Sequence, residues 1–391
     1  MSRPHPLEAA LSDARVMVCA GTGGVGKTTI AAALAIQAAR NGRRTLVLTI
    51  DPARRLANAL GLSALGDVPQ PVELPKAKGG AALHAMMLDP KPTFDRLIKR
   101  LTEDEETRRR IFENGIYQHV SEALAGSAEY AAMEQVHELL HSEEYDLIVV
   151  DTPPADHALD FLRAPGRLRD FLESRFVSAL VRPALSASRF SMRLFARPLH
   201  RMFSLLERIA GGGFLDDLRD FLTAIDELAE GFRERAQRVE DVLRSEATGF
   251  VLISGAQAGS NQNTIEFLDE LETFRVRLVG VVVNRLRPWV GSTAAQEILE
   301  RCDEDTLAKD SERIREALDR NDSSRSEQTL IDRVLGYTQV CAAEEIKFRS
   351  LADRAARHRV PCLAVPELPQ GIEQIEGLIE IGSRLFSKDP T

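Results

Sequence analysis

Eight consecutive residues near the amino end are Gly21, Thr22, Gly23, Gly24, Val25, Gly26, Lys27 and Thr28. They have the types and spacing that hold phosphate, and they complete the pattern G-x-x-x-x-G-K-[ST]. Glycines let the backbone curl so that several N–H groups converge on phosphate oxygens. A helix predicted over Thr28–Asn41, with Thr29 in its first turn, adds its positive end. Lys27 brings a point charge to the β- and γ-phosphates, and the Thr28 hydroxyl suits a magnesium ion. The same stretch also fits the G-x-G-x-x-G of a dinucleotide site, which wants an acid about 20 residues further on. Asp51 lies 30 residues after Gly21. The pair Lys27-Thr28 decides for a nucleoside triphosphate with magnesium, because a dinucleotide site has no use for it.

A magnesium–triphosphate site also needs an acid at the tip of a buried strand. The run Leu147–Val150 ends in Asp151, which is the candidate, acting on the metal through water. The alternative for Asp151 is a turn or helix-cap aspartate, since Thr152-Pro153-Pro154 follows. Hydrolysis needs in addition a group that orients or deprotonates water. Asp51, in Thr49-Ile50-Asp51-Pro52-Ala53, ends a strand where ligands of open α/β sheets bind. It would equally cap a helix starting at Pro52.

The elements that must position these residues are legible as short, continuous apolar runs. They are Ala14–Ala20, Thr45–Ile50, Leu83–Leu88, Asp146–Val150, Gly249–Ser254, Leu278–Asn284 and Val360–Val365. Such runs fit strands buried on both faces of a parallel sheet, and helical patterns lie between them. The expected fold is therefore α/β, a doubly wound, mostly parallel sheet. Residues 90–142 and about 165–245 carry almost no strand pattern and read as an inserted helical subdomain. The expected layout is a single domain over 1–391, with an α/β core at about 10–90, 143–164 and 246–391. The insertion would occupy about 91–142 and 165–245. Residues 300–328 hold ten acids and six bases and read as a solvated helix pair.

Composition narrows the class. A chain of 391 residues with 44% apolar and 28% charged residues has material for a large core, so it is not a disordered chain. The amino end is too polar for a secretory signal, and no run is long enough to span a membrane, so a cytoplasmic protein is expected. A net charge of −9 speaks against a nucleic-acid partner. The four cysteines, Cys19, Cys302, Cys341 and Cys362, form no CxxC pair, so no structural zinc is expected.

Three segments in this order resemble a known family: Thr22–Thr29, Asp51-Pro52-Ala53-Arg54-Arg55-Leu56 and Asp151–His157. The family is the ArsA-like one, deviant P-loop ATPases of the arsenical-pump and tail-anchored-protein-targeting type. Within it the chain resembles the bacterial members labelled anion-transporting ATPases, and the likeness runs on to Pro366–Pro369. The resemblance implies a dimeric ATPase that uses ATP and magnesium, with Gly23–Thr29 on the phosphates and magnesium. It implies that Asp51 acts on the attacking water and that Asp151 opens a second switch continuing to His157. It implies that Asn284 hydrogen-bonds the adenine, with the loop Pro366–Gly371 beside the base. It also implies that the helical insertion moves with nucleotide state.

The chain departs from the family at Thr22, where a signature lysine usually reaches across the dimer. A threonine brings no charge to the transition state. Two arrangements answer this departure: pairing with a paralogue that keeps the lysine, or a slowly hydrolysing, regulatory subunit. Cys302, Cys341 and Cys362 lie away from the insertion, so metalloid binding is not expected. Residues 166–210 hold nine arginines and three acids among Phe, Met and Leu residues. They read either as internal core or dimer interface, or as a groove for an apolar client helix or an anionic membrane surface. The latter would make the protein peripheral at the inner membrane face and a membrane-protein-targeting chaperone.

Overall fold

A computed structural model of the chain describes residues 6–51, 53–75, 80–115, 117, 127–152, 160–173, 214–256, 260–289, 327–368 and 375–386. All seven apolar runs are strands: β1 (Val16–Gly21), β2 (Thr45–Thr49), β4 (Leu83–Met87), β5 (Leu147–Asp151), β6 (Thr248–Gly255), β7 (Arg277–Leu286) and β8 (Cys362–Pro366). An eighth, β3 (Gln70–Val72), was not expected. It is three residues long with Pro71 in the middle, and it pairs antiparallel with β4 at the sheet edge, where a missing N–H is tolerated.

The sheet order is β3-β4-β2-β5-β1-β6-β7-β8, and every pairing except that of β3 is parallel. The chain leaves β1 toward one edge through β2 and returns through β5 to lie beside β1. It then continues to the other edge through β6. The order thus reverses next to β1, which is where an open α/β sheet opens a crevice at its carboxyl ends.

Strand side chains alternate between two cores, as period 2 requires. Met17, Cys19, Val47, Val149 and Val251 face one cluster. It is closed by α1 (Pro6–Asp13), α2 (Lys27–Arg40) and α11 (Ile375–Leu385). The alanine-rich α2 can lie close to the sheet because its buried face is small, Ala31 to Ala33 being wholly buried.

Val18, Leu46, Leu48, Val150 and Leu252 face the other cluster. Packed on that side are α4 (Pro90–Leu101), α6 (Ser127–Ser142), α7 (Asp160–Glu173), α8 (Phe214–Arg244) and α9 (Ser260–Phe274). The short helices α3 (Arg55–Ala59) and α5 (Glu105–Phe112) and the long α10 (Glu327–Arg357) complete the described set. The described helices of the expected insertion thus share one continuous apolar core with the sheet: Phe221, Leu228 and Phe232 of α8 belong to the same cluster as Val150.

A small separate cluster joins Cys341 and Ala342 of α10 to Trp289 and Tyr337, and the Tyr337 hydroxyl donates to the Pro288 carbonyl at 2.7 Å. Most of the arginine-rich stretch, 174–210, and the acidic stretch 300–326 with Cys302 lie outside the described residues. So do 153–159 and 369–371.

Candidate functional site

Parallel register brings three strand ends to one level. Asp151 pairs with Cys19 of β1 on one side and with Thr49 of β2 on the other. The loop after β1, the residue pair after β2 and the last residue of β5 therefore meet at the carboxyl edge of the sheet.

The loop closes on α2 through Gly26, which caps the helix in a left-handed conformation with φ 91°. A Cβ there would come 2.1 Å from Nδ2 of Asn284, so both conformation and space require glycine. Lys27, only 6% exposed, folds back so that its ammonium donates to the Thr22 carbonyl at 2.9 Å. Burial lowers its pKa, while Asp151 and Asp51 favour its charged form.

The acid on β5 is fully buried. Oδ2 of Asp151 accepts from Thr28 at 2.8 Å and from Thr49 at 2.9 Å, whereas Oδ1 has no hydrogen-bond partner among the described protein groups. Burial pushes the carboxyl up to about 6, and the two threonine hydrogen bonds and the Lys27 charge pull the other way. A buried, half-satisfied carboxylate beside a threonine hydroxyl is an oxygen donor set suited to magnesium. Thr152 follows it, with its hydroxyl and N–H both donating to the Cys19 carbonyl, at 2.9 and 3.3 Å.

Asp51 is 8% exposed. Its Oδ1 accepts from the Ala53 N–H at 2.9 Å, and Nη1 of Arg55 donates to Oδ2 at 3.2 Å. The following helix starts at Arg55 rather than at Pro52, so the Asp51 side chain closes a local turn instead of capping a helix at that point. Helix α2 likewise spans Lys27–Arg40, one residue earlier than its apolar pattern indicated.

A cavity of about 810 Å³ opens over these groups, large enough for a nucleotide. Gly24, Gly26, Lys27, Thr28, Thr29 and Asp51 line it, as do Arg55 and Arg285. Asn284 and Pro366, near the ends of β7 and β8, are not in its lining. Asn284 is 1% exposed and its Nδ2 donates to the Val25 carbonyl at 2.8 Å, tying β7 to the P-loop. Arg285, next in sequence, has φ 59° and is exposed.

Two participants were not singled out from sequence. Thr49 lacked a motif of its own, although a polar residue ending an apolar strand run next to the acid on the neighbouring strand could have drawn notice. Arg55 stood inside the quoted Asp51–Leu56 segment, and its i,i+4 spacing to Asp51 was the available clue.

A family model described as anion-transporting ATPase matches residues 14–304, a span that holds β1 to β7 with the P-loop, Asp51, Asp151 and Asn284 but not Pro366. ATPase GET3 of Malassezia globosa is 29% identical over 269 residues, covering 68% of this chain and 71% of that protein. ATPase get3 of Aspergillus terreus is 28% identical over 267 residues, covering 68% and 71%. ATPase GET3 of Mycosarcoma maydis is 27% identical over 266 residues, covering 68% and 70%.

Proposed function

Because this chain belongs to the anion-transporting ATPase family, we propose that it hydrolyses ATP with magnesium at the cavity over Lys27 and uses the change of nucleotide to move its helices. That it is an ATPase of the P-loop class follows from the family. The single observation that carries the residue roles is the meeting of Lys27, Thr28, Asp51 and Asp151 at one strand-end level.

In this reading the P-loop N–H groups and Lys27 bind the β- and γ-phosphates and hold them against the strand ends. Asp51 orients the attacking water and takes up its proton, a role suited to a carboxylate fixed through one oxygen. Thr28 and, through water, Asp151 would hold magnesium, which when bound neutralises charge on the β- and γ-phosphates. Asn284 and Pro366 would sit at the base end, and Asn284 would meet the adenine by turning its amide away from the Val25 carbonyl that it bonds when buried. Thr152, pinned to Cys19, is where a shift at Asp151 would pass into α7. The continuous core from Val150 to Phe221 supports transmission into α8.

The assembly is a dimer, with either a second copy or a paralogue carrying the lysine that Thr22 replaces. Thr22 also supports a second reading, in which this chain is the slow, regulatory half of an asymmetric pair. The bacterial branch is favoured by the Thr49–Leu56 and Asp151–Leu162 segments, whereas the relatives cited above are fungal. A role in targeting membrane proteins rests on resemblance and on the Arg/Met/Phe composition of 166–210. Among the described residues no helix is long and apolar enough to cross a membrane. A cytoplasmic location, peripheral to the membrane, fits that role.

The deciding experiment is steady-state ATP hydrolysis by the purified chain, with molar mass by light scattering in the presence and absence of ATP. Wild type is compared with Lys27→Ala, Asp51→Asn and Thr22→Lys. Turnover that both Lys27→Ala and Asp51→Asn abolish marks a self-sufficient enzyme. Tight ATP binding without turnover, rescued by Thr22→Lys, marks the regulatory half. Failure to bind ATP at all would sink both readings.

A further inference from the structure

The cavity carries more positive charge than the phosphate-binding motif supplies. Position 22 of the loop is threonine, so the motif itself brings one cation, Lys27. Arg55 and Arg285 also line the cavity, and the carboxylate among its lining residues is that of Asp51. A triphosphate brings several negative charges into this space, so where each cation stands matters.

Arg55 opens α3, and its Nη1 stands 3.2 Å from Oδ2 of Asp51. The two partners are unequally held. The Asp51 side chain is 11% exposed and anchored by the Ala53 N–H, whereas the Arg55 side chain is 61% exposed. The carboxylate is the fixed post and the guanidinium is the movable arm. An ion pair whose guanidinium faces solvent is weakly held. A terminal phosphoryl group offers several anionic oxygens to a planar five-donor fork and competes well with one carboxylate oxygen.

We propose that Arg55 is a substrate-contacting residue: it leaves Asp51 when ATP enters and clamps the terminal phosphoryl group from within the same chain. The inference rests on ATP lying with its phosphates at Lys27. One displacement then has two effects. It frees Oδ2 of Asp51 to accept a proton from water, and it delivers a second cation to the oxygens where charge is redistributed during transfer. Until then the same contact keeps Asp51 covered.

The competing explanation is that Arg55 only holds Asp51 in place. The two are separated by trapping of ADP with aluminium fluoride and magnesium, which mimics the transferring group, measured against ADP alone by displacement of a fluorescent ADP. Single-turnover hydrolysis of γ-labelled ATP runs in parallel, all on the full chain. Arg55→Ala is expected to slow hydrolysis roughly 10²-fold or more and to lose most of the gain in affinity that fluoroaluminate gives. Its affinity for ADP alone should stay within about threefold of wild type. Arg55→Lys should recover part of the loss, and Arg54→Ala, exposed and outside the cavity lining, should behave as wild type.

In an Asp51→Asn background, removing Arg55 should still weaken trapping. Wild-type trapping and rate in Arg55→Ala would overturn the proposal. So would a trapping defect that vanishes once Asp51 is asparagine, because Arg55 would then act only through Asp51. A wild type that holds ADP–fluoroaluminate no better than ADP would also overturn it. Turnover that Lys27→Ala leaves intact would refute the P-loop as the hydrolytic centre, while trapping would still judge Arg55 by itself.

Discussion

Thr49 and Asp151 face each other across neighbouring parallel strands, and the Thr49 hydroxyl donates to Oδ2 of Asp151 at 2.9 Å. Thr28 donates to the same oxygen from the first turn of α2 at 2.8 Å, so strand and P-loop helix share one acceptor. Thr49→Val keeps the branched shape and removes one donor. A hydrogen bond to a charged group is worth about 1.5–3 kcal/mol, and the nucleotide-free protein should lose stability of that order. Urea unfolding measures it. An unchanged midpoint and slope would show that the bond contributes nothing.

Gly26 and Gly24 both have left-handed backbones, with φ 91° and 77°, yet their surroundings differ. A Cβ on Gly24 meets nothing within 4 Å, whereas one on Gly26 lands 2.1 Å from Nδ2 of Asn284. Gly24→Ala should therefore cost the folded, empty protein only the backbone penalty, about 1–2 kcal/mol. Gly26→Ala should cost distinctly more, and adding Asn284→Ala should return part of the difference. Thermal unfolding without nucleotide is the measurement, and equal losses for the two glycines would contradict this account.

His137 on α6 is 5% exposed, and burial, helped by the nearby Arg235 charge, pushes its pKa down to about 4. The unfolded chain binds a proton near pH 6.5, while the folded chain resists it until about pH 4. Stability is therefore fully present above pH 6.5 and is lost as pH falls through this window. At pH 5 the loss attributable to His137 should be about 1–2 kcal/mol. Urea titrations at pH 7.5 and 5.0 should show it, and His137→Gln should flatten that dependence.

Glu134 on α6 is wholly buried and ion-paired with Arg235 of α8, whose side chain is 16% exposed. Burial raises the Glu134 pKa against the pull of that arginine. Glu134→Ala leaves a buried guanidinium without its counter-ion and should cost about 3–5 kcal/mol, whereas Glu134→Leu with Arg235→Met should be far milder. A double-mutant cycle by chemical denaturation reads the coupling, and strictly additive losses would remove the pair from the account.

Much of this arrangement was legible in the residues. Runs such as Leu147–Val150 are apolar on both faces because the sheet is covered on both, and that is why they read as parallel strands. The acids Asp51 and Asp151 stood out because each ends such a run. Gln70–Val72 was silent because three residues around a proline carry no periodicity. The part of Thr49, donating to Asp151 beside Thr28, was silent for a different reason. It depends on which strands become neighbours, and β5 lies beside β2 only because the chain returns to the middle of the sheet. The burial of Asn284 against Val25 is likewise a product of sheet order, as is the continuity of the helical core with the sheet.

Trp289 is the chain's one tryptophan, and it packs with Tyr337 and Cys341 just beyond the end of β7, five residues after Asn284. Its half-covered indole makes the molecule its own fluorophore. Light absorbed at the red edge reports from a single known place, where the chain leaves β7. Emission colour, collisional quenching and anisotropy can then be followed in unlabelled protein, and a change in any of them has one address.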